Sequence, residues 1–251
     1  MNNIETEKNG RRSCSGGEGR GIKSYVLRLG RMSAAQKRCY EEFFPRYGLP
    51  FPQPLQHCDF TQLFGNTNPV TLEIGFGMGV ATAMIAESNR EQNYLGVEVH
   101  RPGIGRLLWE IDKRRLSNIR IIEYDAVEVL RGLIADASLS GIHVFFPDPW
   151  PKKRHRKRRL ITRPFTDLLA RKLKTGAYVY MVTDWEDYAQ WALRELSETP
   201  ALQNPYAANP GGFAAPQAWR PETKFERKGR EKSHLVRELF FTKRGTFDPQ
   251  E

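Results

Sequence analysis

Asp148 lies between a predicted strand and a dense block of positive charge, and this stretch carries the strongest chemical signal of the chain. The apolar run 144–146 leads into Pro-Asp-Pro-Trp at 147–150, and residues 152–159 then carry seven cations. A carboxylate at the end of a parallel strand faces the crevice where such sheets bind ligands. So many neighbouring cations repel one another unless an anionic partner offsets the charge, and a nucleic-acid backbone is the obvious one. The stretch predicts a reactive carboxylate beside a phosphate-binding surface; the alternative is a solvated basic loop.

A glycine-rich loop marks a second candidate site. Residues 73–79 read Glu-Ile-Gly-Phe-Gly-Met-Gly and begin inside the apolar run 70–74. Glycines at Gly75, Gly77 and Gly79 allow a tight turn and let the backbone approach a ligand. Their spacing does not match the GxGxxG fingerprint of dinucleotide-binding proteins. With Glu73 in front, the pattern resembles the cofactor loop of Rossmann-like S-adenosylmethionine (SAM) methyltransferases, because a carboxylate suits the cationic end of SAM and would repel a phosphate.

Two further acids end predicted strands. Glu98 stands nineteen residues beyond Gly79, where nucleotide-binding α/β folds place an acid that accepts the ribose hydroxyls. Asp125 follows the next strand, at the position such folds use near the adenine amine. Glu98 could instead cap its strand, and Asp125 could cap the helix that follows. Together with Glu73 and the glycine loop, the two acids predict one crevice for a nucleoside-like cofactor.

Apolar runs alternate with amphipathic segments from residue 70 onward, and this alternation predicts the fold. The predicted strands are 70–74, 94–99, 119–124, 142–146, 177–182 and 235–242; the predicted helices are 34–47, 80–88 and segments starting near 102, 126, 165 and 186. This order predicts an α/β, Rossmann-like fold with a mostly parallel central sheet and helices on both faces. Residues 200–221 carry five prolines and two adjacent glycines, so we expect a long irregular excursion there.

Composition restricts the class of protein. The chain has 251 residues, a formal net charge of +10, and no apolar run long enough to span a membrane. Residues 1–21 are polar and glycine-rich, so they predict a disordered tail and not a signal peptide. The three cysteines, Cys14, Cys39 and Cys58, show no CxxC spacing, which argues against disulfides and against a metal site. We therefore expect a cytoplasmic protein without a metal that binds a nucleic acid.

Several motifs are similar to those of the bacterial tRNA (guanine-N7-)-methyltransferases. The similar segments are 72–79, 96–100, 125–130, 145–159, 183–185 and 223–226, and the resemblance extends over roughly residues 23–242. Pro-Asp-Pro-Trp followed by the basic block, and Thr-Lys-Phe-Glu at 223–226, are specific to this family. The resemblance implies methyl transfer from SAM to N7 of guanine-46 in the tRNA variable loop. The expected partner is tRNA and not DNA, and the sequence does not choose between a monomer and a homodimer.

The resemblance also implies roles for individual residues. The expected cofactor ligands are Glu73, Gly75, Gly77, Gly79, Glu98, Asp125 and Asp148, and Asp148 is also the expected catalytic residue. The expected substrate contacts are Lys152, Asp184, Thr223, Lys224, Phe225 and Glu226. The residues expected to bind RNA phosphates are Lys153, Arg154, Arg156, Lys157, Arg158 and Arg159. We expect a single methyltransferase domain over residues 22–243, with a C-terminal tail at 244–251. A second basic zone, residues 220–230, should extend the positive face together with Arg28 and Arg31.

The chemistry of guanine N7 sets what the site must do. This nitrogen is unprotonated at neutral pH, so no general base is needed, and catalysis should rest on alignment and on a carboxylate near the developing cation. Asp148 could accept hydrogen bonds from guanine or orient the sulfonium end of SAM, and the sequence leaves both open. Trp150 or Phe225 could stack on the base, although Trp150 fits a packing role better. Asp184 could instead cap the following helix.

Rival functions fit parts of the sequence. The segment 147–150 is similar to the [ND]-P-P-[YFW] motif of enzymes that methylate exocyclic amines, but its central proline is displaced to the front. A non-enzymatic RNA-binding protein could keep the same scaffold, yet all four strand-end acids are present. An NAD-dependent oxidoreductase is disfavoured by the glycine spacing and by Glu73.

Overall fold

The structure is a computed structural model that describes residues 23–25, 30–51, 56–223, 226–227 and 235–245. Its strands are β1 (Gly48–Leu49), β2 (Val70–Ile74), β3 (Asn93–Glu98), β4 (Ile119–Glu123), β5 (Leu139–Phe145), β6 (Leu173–Thr183), β7 (Leu202–Gln203) and β8 (Arg237–Lys243). Its α-helices are α1 (Ala34–Tyr47), α2 (Phe60–Phe64), α3 (Val80–Ser88), α4 (Arg101–Arg114), α5 (Ala126–Gly132), α6 (Arg163–Lys172) and α7 (Glu186–Ser197).

One sheet organises the described part of the chain, with strand order β1-β4-β3-β2-β5-β6-β8-β7. The pairs from β1 to β6 are parallel, and β8 runs antiparallel to β6 and β7. The chain moves from β2 to β3 on one side, and β5 later pairs with β2 on the other. The strand order therefore reverses between β2 and β5, and open α/β sheets bind ligands beyond the carboxyl ends of strands at such a point.

Helices cover both faces of the sheet, so the central strands are buried on both sides. Every residue of β2 and β3 is buried, which explains why their sequences are nearly continuous apolar runs. One apolar cluster packs α1, α3 and α4 against the sheet, and a second packs α5, α6 and α7 against the other face. The prediction of a mostly parallel α/β sheet with helices on both faces is confirmed.

Local signals explain where helices start. Ser33 accepts a hydrogen bond from the Gln36 N–H while the Gln36 side chain accepts one from the Ser33 N–H, which forms a capping box before α1. Asp125 accepts from the Val127 N–H at 2.9 Å and caps α5. Each of these bonds satisfies a backbone group that the first helical turn leaves unpaired.

All six predicted strands are present; β2 has the predicted boundaries, and the other five are shifted. β5 begins at Leu139 and β6 at Leu173, both earlier than predicted. The helix α6 ends at Lys172, whose buried ammonium donates to the Ile134 carbonyl and pairs with Asp136. β1 and β7 were not predicted because two-residue edge strands carry no measurable periodicity. Residues 1–22 and 246–251 lie outside the described residues, so the predicted tails and the single domain stay predictions.

Candidate active site

A cavity of about 440 Å³ opens at the carboxyl ends of β2, β3 and β5. Four of the predicted site residues line it: Gly75, Gly77, Glu98 and Asp148. A second cavity, of about 710 Å³, shares part of the glycine loop and is lined by Glu73, Gly79, Thr223 and Arg220, among others. The topology thus brings residues 73–79, 98, 148 and 223 to one edge of the sheet, as the parallel order predicts.

The glycine loop forms an open cradle. Gly75 and Gly77 have φ values of 71° and 57°, and a Cβ at either position would meet nothing within 4 Å. These positions therefore leave room for a ligand directly against the backbone. From the other side, α4 supports the loop closely, since a Cβ on Gly103 would lie 1.9 Å from the Gly77 carbonyl oxygen.

Glu98 is buried and holds both the glycine loop and its own turn. One carboxylate oxygen accepts from the Gly77 N–H at 2.8 Å. The other accepts from the Val99 and His100 N–H groups at 2.7 and 3.0 Å. A carboxylate has about four acceptor positions, so Glu98 keeps capacity for a ligand hydroxyl while it fixes the loop. Its predicted contact with ribose stays a prediction.

Glu73 is a buried carboxylate that lacks a complete set of partners. Its side chain is 3% exposed, and its Oε2 atom has no hydrogen-bond partner among the described residues. Burial raises the pKa of Glu73 to about 7; the Thr82 hydroxyl opposes this shift, and the neighbouring Glu98 carboxylate adds to it. His143 stands opposite Glu73 on β5 and brings no positive charge, because burial lowers the pKa of His143 to about 3. The arrangement fits a cationic ligand group seated against the glycine loop.

Asp148 is exposed on a turn with unusual backbone geometry. Phe146 and Trp150, on either side of Pro-Asp-Pro, have φ values of 50° and 45°, which are strained for residues with side chains. The turn is held by bonds from the Phe146 N–H to the Val182 carbonyl at 2.8 Å and from the Arg159 Nε to the Pro149 carbonyl at 3.0 Å. Rigid support of an exposed carboxylate at a cavity is typical of a functional site.

The basic block divides into surface cations and internal ones. Residues 153–158 form a 3₁₀ helix, and the exposed cations are Lys152, Lys153, Arg154 and Lys157. Arg156 and Arg159 both pair with Asp187 on α7. The Arg159 side chain is fully buried and lies over the rings of Tyr188 and Trp191. The prediction that Arg159 binds an RNA phosphate is therefore wrong, because solvent and ligands cannot reach its guanidinium.

Arg158 and Trp150 hold the first described segment of the chain. The Arg158 guanidinium donates to the Lys23 and Tyr25 carbonyls at 3.1 and 2.9 Å, and the Trp150 indole donates to the Ser24 carbonyl at 2.9 Å. The guanidinium also lies 4.1 Å from the Trp150 ring centroid. Trp150 thus has the packing role that its sequence context favours. We refer to residues 23–25 as the N-terminal strap; Ser24 and Tyr25 line the 440 Å³ cavity.

The remaining predicted residues occupy varied places. Asp125 caps α5 and lines a neighbouring cavity of about 360 Å³ together with Lys23, Lys157 and Arg158. Asp184 directly follows β6, and Thr223 lines the 710 Å³ cavity. Glu226 is buried, and its carboxylate accepts two bonds from Arg220. Lys224 and Phe225 lie outside the described residues. The roles of these residues in substrate binding stay predictions.

Sequence reasoning missed the strap, the cavity wall at Tyr124 and His100, and the burial of Arg220. No local pattern distinguishes these residues, because their contacts join segments far apart in the chain. Within the described ranges, no helix is long and apolar enough to cross a membrane. The same residues contain no group of three or more His, Cys, Asp or Glu side chains placed to hold a metal ion.

Comparison with known proteins decides the family. A family profile described as "Putative methyltransferase" matches residues 67–239. A tRNA (guanine-N(7)-)-methyltransferase of Dechloromonas aromatica is 51% identical over 230 residues, covering 91% of both chains. The enzyme of the same name from Methylobacillus flagellatus is 48% identical over 226 residues, covering 90% of this chain and 92% of its own. The chain belongs to this family of methyltransferases. The resemblance noted from the motifs is confirmed.

Solved structures agree on the fold. The crystal structure of the 16S rRNA methyltransferase KamB aligns with a TM-score of 0.50 at 14% identity, over 76% of this chain and 95% of KamB. Identity this low shows the fold alone. It confirms the Rossmann-like methyltransferase architecture that the strand order already indicates.

Proposed function

We propose that this methyltransferase transfers the methyl group of SAM to N7 of guanine-46 in the variable loop of tRNA. The observation that carries the proposal is the buried Glu73 carboxylate with its unpaired oxygen beside an open glycine cradle, in the same edge of the sheet as Asp148. The names of relatives that are about half identical support tRNA as the substrate and guanine N7 as the acceptor. A tRNA substrate also agrees with the predicted cytoplasmic location.

The residues present fit SAM. Glu73 would receive the cationic amino-acid end, Gly75 and Gly77 would let the backbone approach it, and Glu98 would accept the ribose hydroxyls. Tyr124 and the strap residue Tyr25 line the 440 Å³ cavity together with Glu98 and would enclose the nucleoside part. SAM, when bound, supplies a methyl group on a positively charged sulfur. No phosphate-binding helix terminus is needed, and Glu73 would repel a phosphate.

Asp148 is the catalytic residue of the proposed reaction. It is exposed at the 440 Å³ cavity, where an extruded guanine could reach it. Its carboxylate accepts hydrogen bonds from the guanine N1–H and amino group, which raises electron density at N7. The same negative charge stabilises the positive charge that the base acquires as the N7–carbon bond forms and the sulfur–carbon bond breaks. No proton is removed before the transfer.

Exposed cations bind the RNA backbone around this site. Lys152, Lys153, Arg154 and Lys157 stand on the surface immediately after Asp148 in sequence. Phosphate contacts of this kind orient a folded RNA without reading its sequence. They place the variable loop over the Asp148 turn, and the choice of guanine is made in the cavity.

A direct assay tests the function. Unmodified tRNA transcript is incubated with the protein and methyl-labelled SAM, and the digested nucleosides are analysed by mass spectrometry. N7-methylguanosine is the expected product, and a transcript with another base at position 46 should remain unmodified. N6-methyladenosine would instead support an exocyclic-amine methyltransferase, and methylation of the position-46 variant would refute the assigned site.

A further inference from the structure

Arg220 is the centre of a buried charge cluster beside the 710 Å³ cavity. Its Nη1 and Nη2 atoms donate to the two oxygens of Glu226 at 2.7 and 2.8 Å. Nη2 also donates to Glu238 at 2.8 Å, and Nε donates to the Tyr180 hydroxyl at 3.1 Å. The side chains of Arg220, Glu226 and Glu238 are at most 4% exposed. All three guanidinium nitrogens are therefore engaged inside the protein.

This arrangement corrects the role expected for the start of the second basic zone. A cation in residues 220–230 was expected to meet the RNA, yet Arg220 faces two carboxylates and a phenol. A planar guanidinium that donates to both oxygens of one carboxylate makes a geometrically specific contact, which we call the fork. The guanidinium of Arg220 is therefore not available to contact a phosphate. Its interactions stabilise the fold around the cavity.

The cluster ties one loop to the strands that end at the site. Tyr180 belongs to β6, and Glu238 stands on β8 opposite Val182. The adjacent Trp219 stacks on His143 of β5, with ring centroids 5.0 Å apart and planes inclined by 22°. Residues 219 and 220 therefore contact three neighbouring strands, β5, β6 and β8. Of these, β5 leads to Asp148 and β6 leads to Asp184.

Arg220 and Glu226 also bind each other from either side of Thr223 in the chain. Thr223 lies midway, where its hydroxyl accepts from the Glu226 N–H at 3.1 Å and its carbonyl accepts from the Arg227 N–H at 3.0 Å. Thr223 and Arg220 line the same cavity as Glu73. The two hydrogen bonds between Arg220 and Glu226 thus fix the position of Thr223 relative to Glu73 in this cavity.

We infer that Arg220 is a positioning residue for methyl transfer, which holds residues 219–223 and Glu226 against β6 and β8 so that Thr223 faces the reacting groups. This inference rests on the proposed function, since it assigns the loop to the same reaction. Removing the guanidinium altogether would take the positive charge away from two buried carboxylates, Glu226 and Glu238, which strongly destabilises a protein. The informative change is Arg220→Lys, which keeps the charge and loses the fork.

The test compares Arg220→Lys with the wild type and with Arg90→Lys. Arg90 is an exposed residue just before β3, at the opposite edge of the sheet, so it serves as a matched control. Single-turnover methylation at saturating SAM and tRNA, thermal unfolding, and the salt dependence of tRNA binding are measured for each. We expect a rate at least about tenfold lower for Arg220→Lys, which is the loss of 1.36 kcal/mol in transition-state stabilisation. Its salt slope should match that of the wild type, and Arg90→Lys should behave normally.

Distinct outcomes overturn the inference. A full rate in Arg220→Lys would show that the fork does not position the reaction. A full saturating rate together with weaker tRNA binding would make Arg220 an RNA ligand. If Arg220→Lys does not fold, Glu238→Gln loosens the anchor while it keeps the Glu226 fork, and a full rate in that variant would overturn the inference too. A wild type that makes no N7-methylguanosine would instead refute the proposed function.

Discussion

Glu73 shows how the environment of one residue indicates the charge of its ligand. Burial and a neighbouring carboxylate favour the neutral acid, while an incoming ammonium favours the ionised form. In the free protein, the raised pKa means that the Glu73 contribution to stability is present at low pH and is lost as pH rises toward 7. With a cationic ligand the sign reverses, because the carboxylate must release its proton before it can pair.

The first prediction follows from this linkage. SAM affinity of the wild type should fall as pH drops below about 7, approaching tenfold per pH unit, because one proton must leave Glu73 on binding. The ligand amine stays protonated up to about pH 7.7, so the window is about pH 5.5 to 7. Calorimetry in two buffers of different ionisation enthalpy measures the released proton. Glu73→Gln should bind more weakly without this pH dependence; an unchanged dependence would assign the titration to another group.

The second prediction concerns Asp148. Asp148→Asn keeps the size of the side chain, so the fold and the tRNA affinity should persist. The single-turnover rate should fall by about 10² to 10³, the typical cost of losing one preorganised electrostatic contact. The wild-type rate should stay flat between about pH 6 and 8 at saturating SAM, because N7 needs no deprotonation. A full rate in the Asn variant would remove Asp148 from the mechanism, and a steep rise through neutrality would reveal a general base.

At the scale of elements, the 3₁₀ helix 153–158 combines surface and internal functions. Arg156 and Arg159 join it to α7 through Asp187, and the remaining exposed cations face solvent. One short element therefore connects the Asp148 turn, a neighbouring helix and an exposed cationic surface. Fewer of its arginines and lysines are exposed, and so able to contact phosphate, than the sequence suggests.

The third prediction separates the two groups of cations. Replacing the exposed Lys153, Arg154 and Lys157 by Gln should weaken tRNA binding and flatten its log–log salt dependence by about 0.7 to 0.9 for each phosphate that is no longer neutralised. SAM affinity should not change. Filter binding over a range of salt concentrations measures the slope, and the triple variant of Lys37, Lys113 and Lys174, exposed lysines outside the basic block, is the control. An unchanged slope would mean that the block is a solvated surface.

The fourth prediction concerns the N-terminal strap. Arg158→Ala removes two hydrogen bonds to the Lys23 and Tyr25 carbonyls and frees a wall of the 440 Å³ cavity. Without RNA present, SAM affinity should fall by about 1 to 3 kcal/mol, since each bond to a charged donor is worth about 1.5 to 3 kcal/mol and part is recovered by water. Calorimetry measures this decrease. Lys157→Ala is the adjacent control, and an equal SAM affinity in both variants would show that the bonds from Arg158 to the strap do not contribute to SAM binding.

At the scale of the whole molecule, the site is assembled from both ends of the described chain. The strap at 23–25, the strand ends from 73 to 148, and the loop around Thr223 meet across the sheet. A binding site made of these segments exists only in the folded state. A ligand that binds there therefore stabilises the entire fold and not one segment.

The fifth prediction follows from this assembly. SAM at about 100 times its dissociation constant should stabilise the protein against global unfolding by about 2.7 kcal/mol. Thermal denaturation at increasing SAM concentrations measures the shift of the melting temperature. Adenosine lacks the cationic end that Glu73 receives, so it should shift the melting temperature less at the same concentration. Equal shifts would argue against Glu73 as the receptor for that end.

The sequence by itself determined the order of elements and the identity of the strand-end acids. Buried parallel strands must be apolar along their whole length, and a tight turn against a ligand needs glycine, so residues 70–79 could be interpreted locally. Glu98 and Asp148 were found for the same reason, since each stands at or just beyond the end of such a strand. Motifs of this kind depend on neighbours a few residues apart, and those neighbours are visible in the sequence.

Only the tertiary structure decided which charged residues are exposed. Arg158 meets the Lys23 carbonyl 135 positions away, and Arg220 is buried against Glu238 on another strand. In sequence these arginines look like Lys153 and Arg154, which remain in solvent. The cost of burying a guanidinium is offset only by partners that the topology brings near, so its environment depends on how distant strands and loops pack.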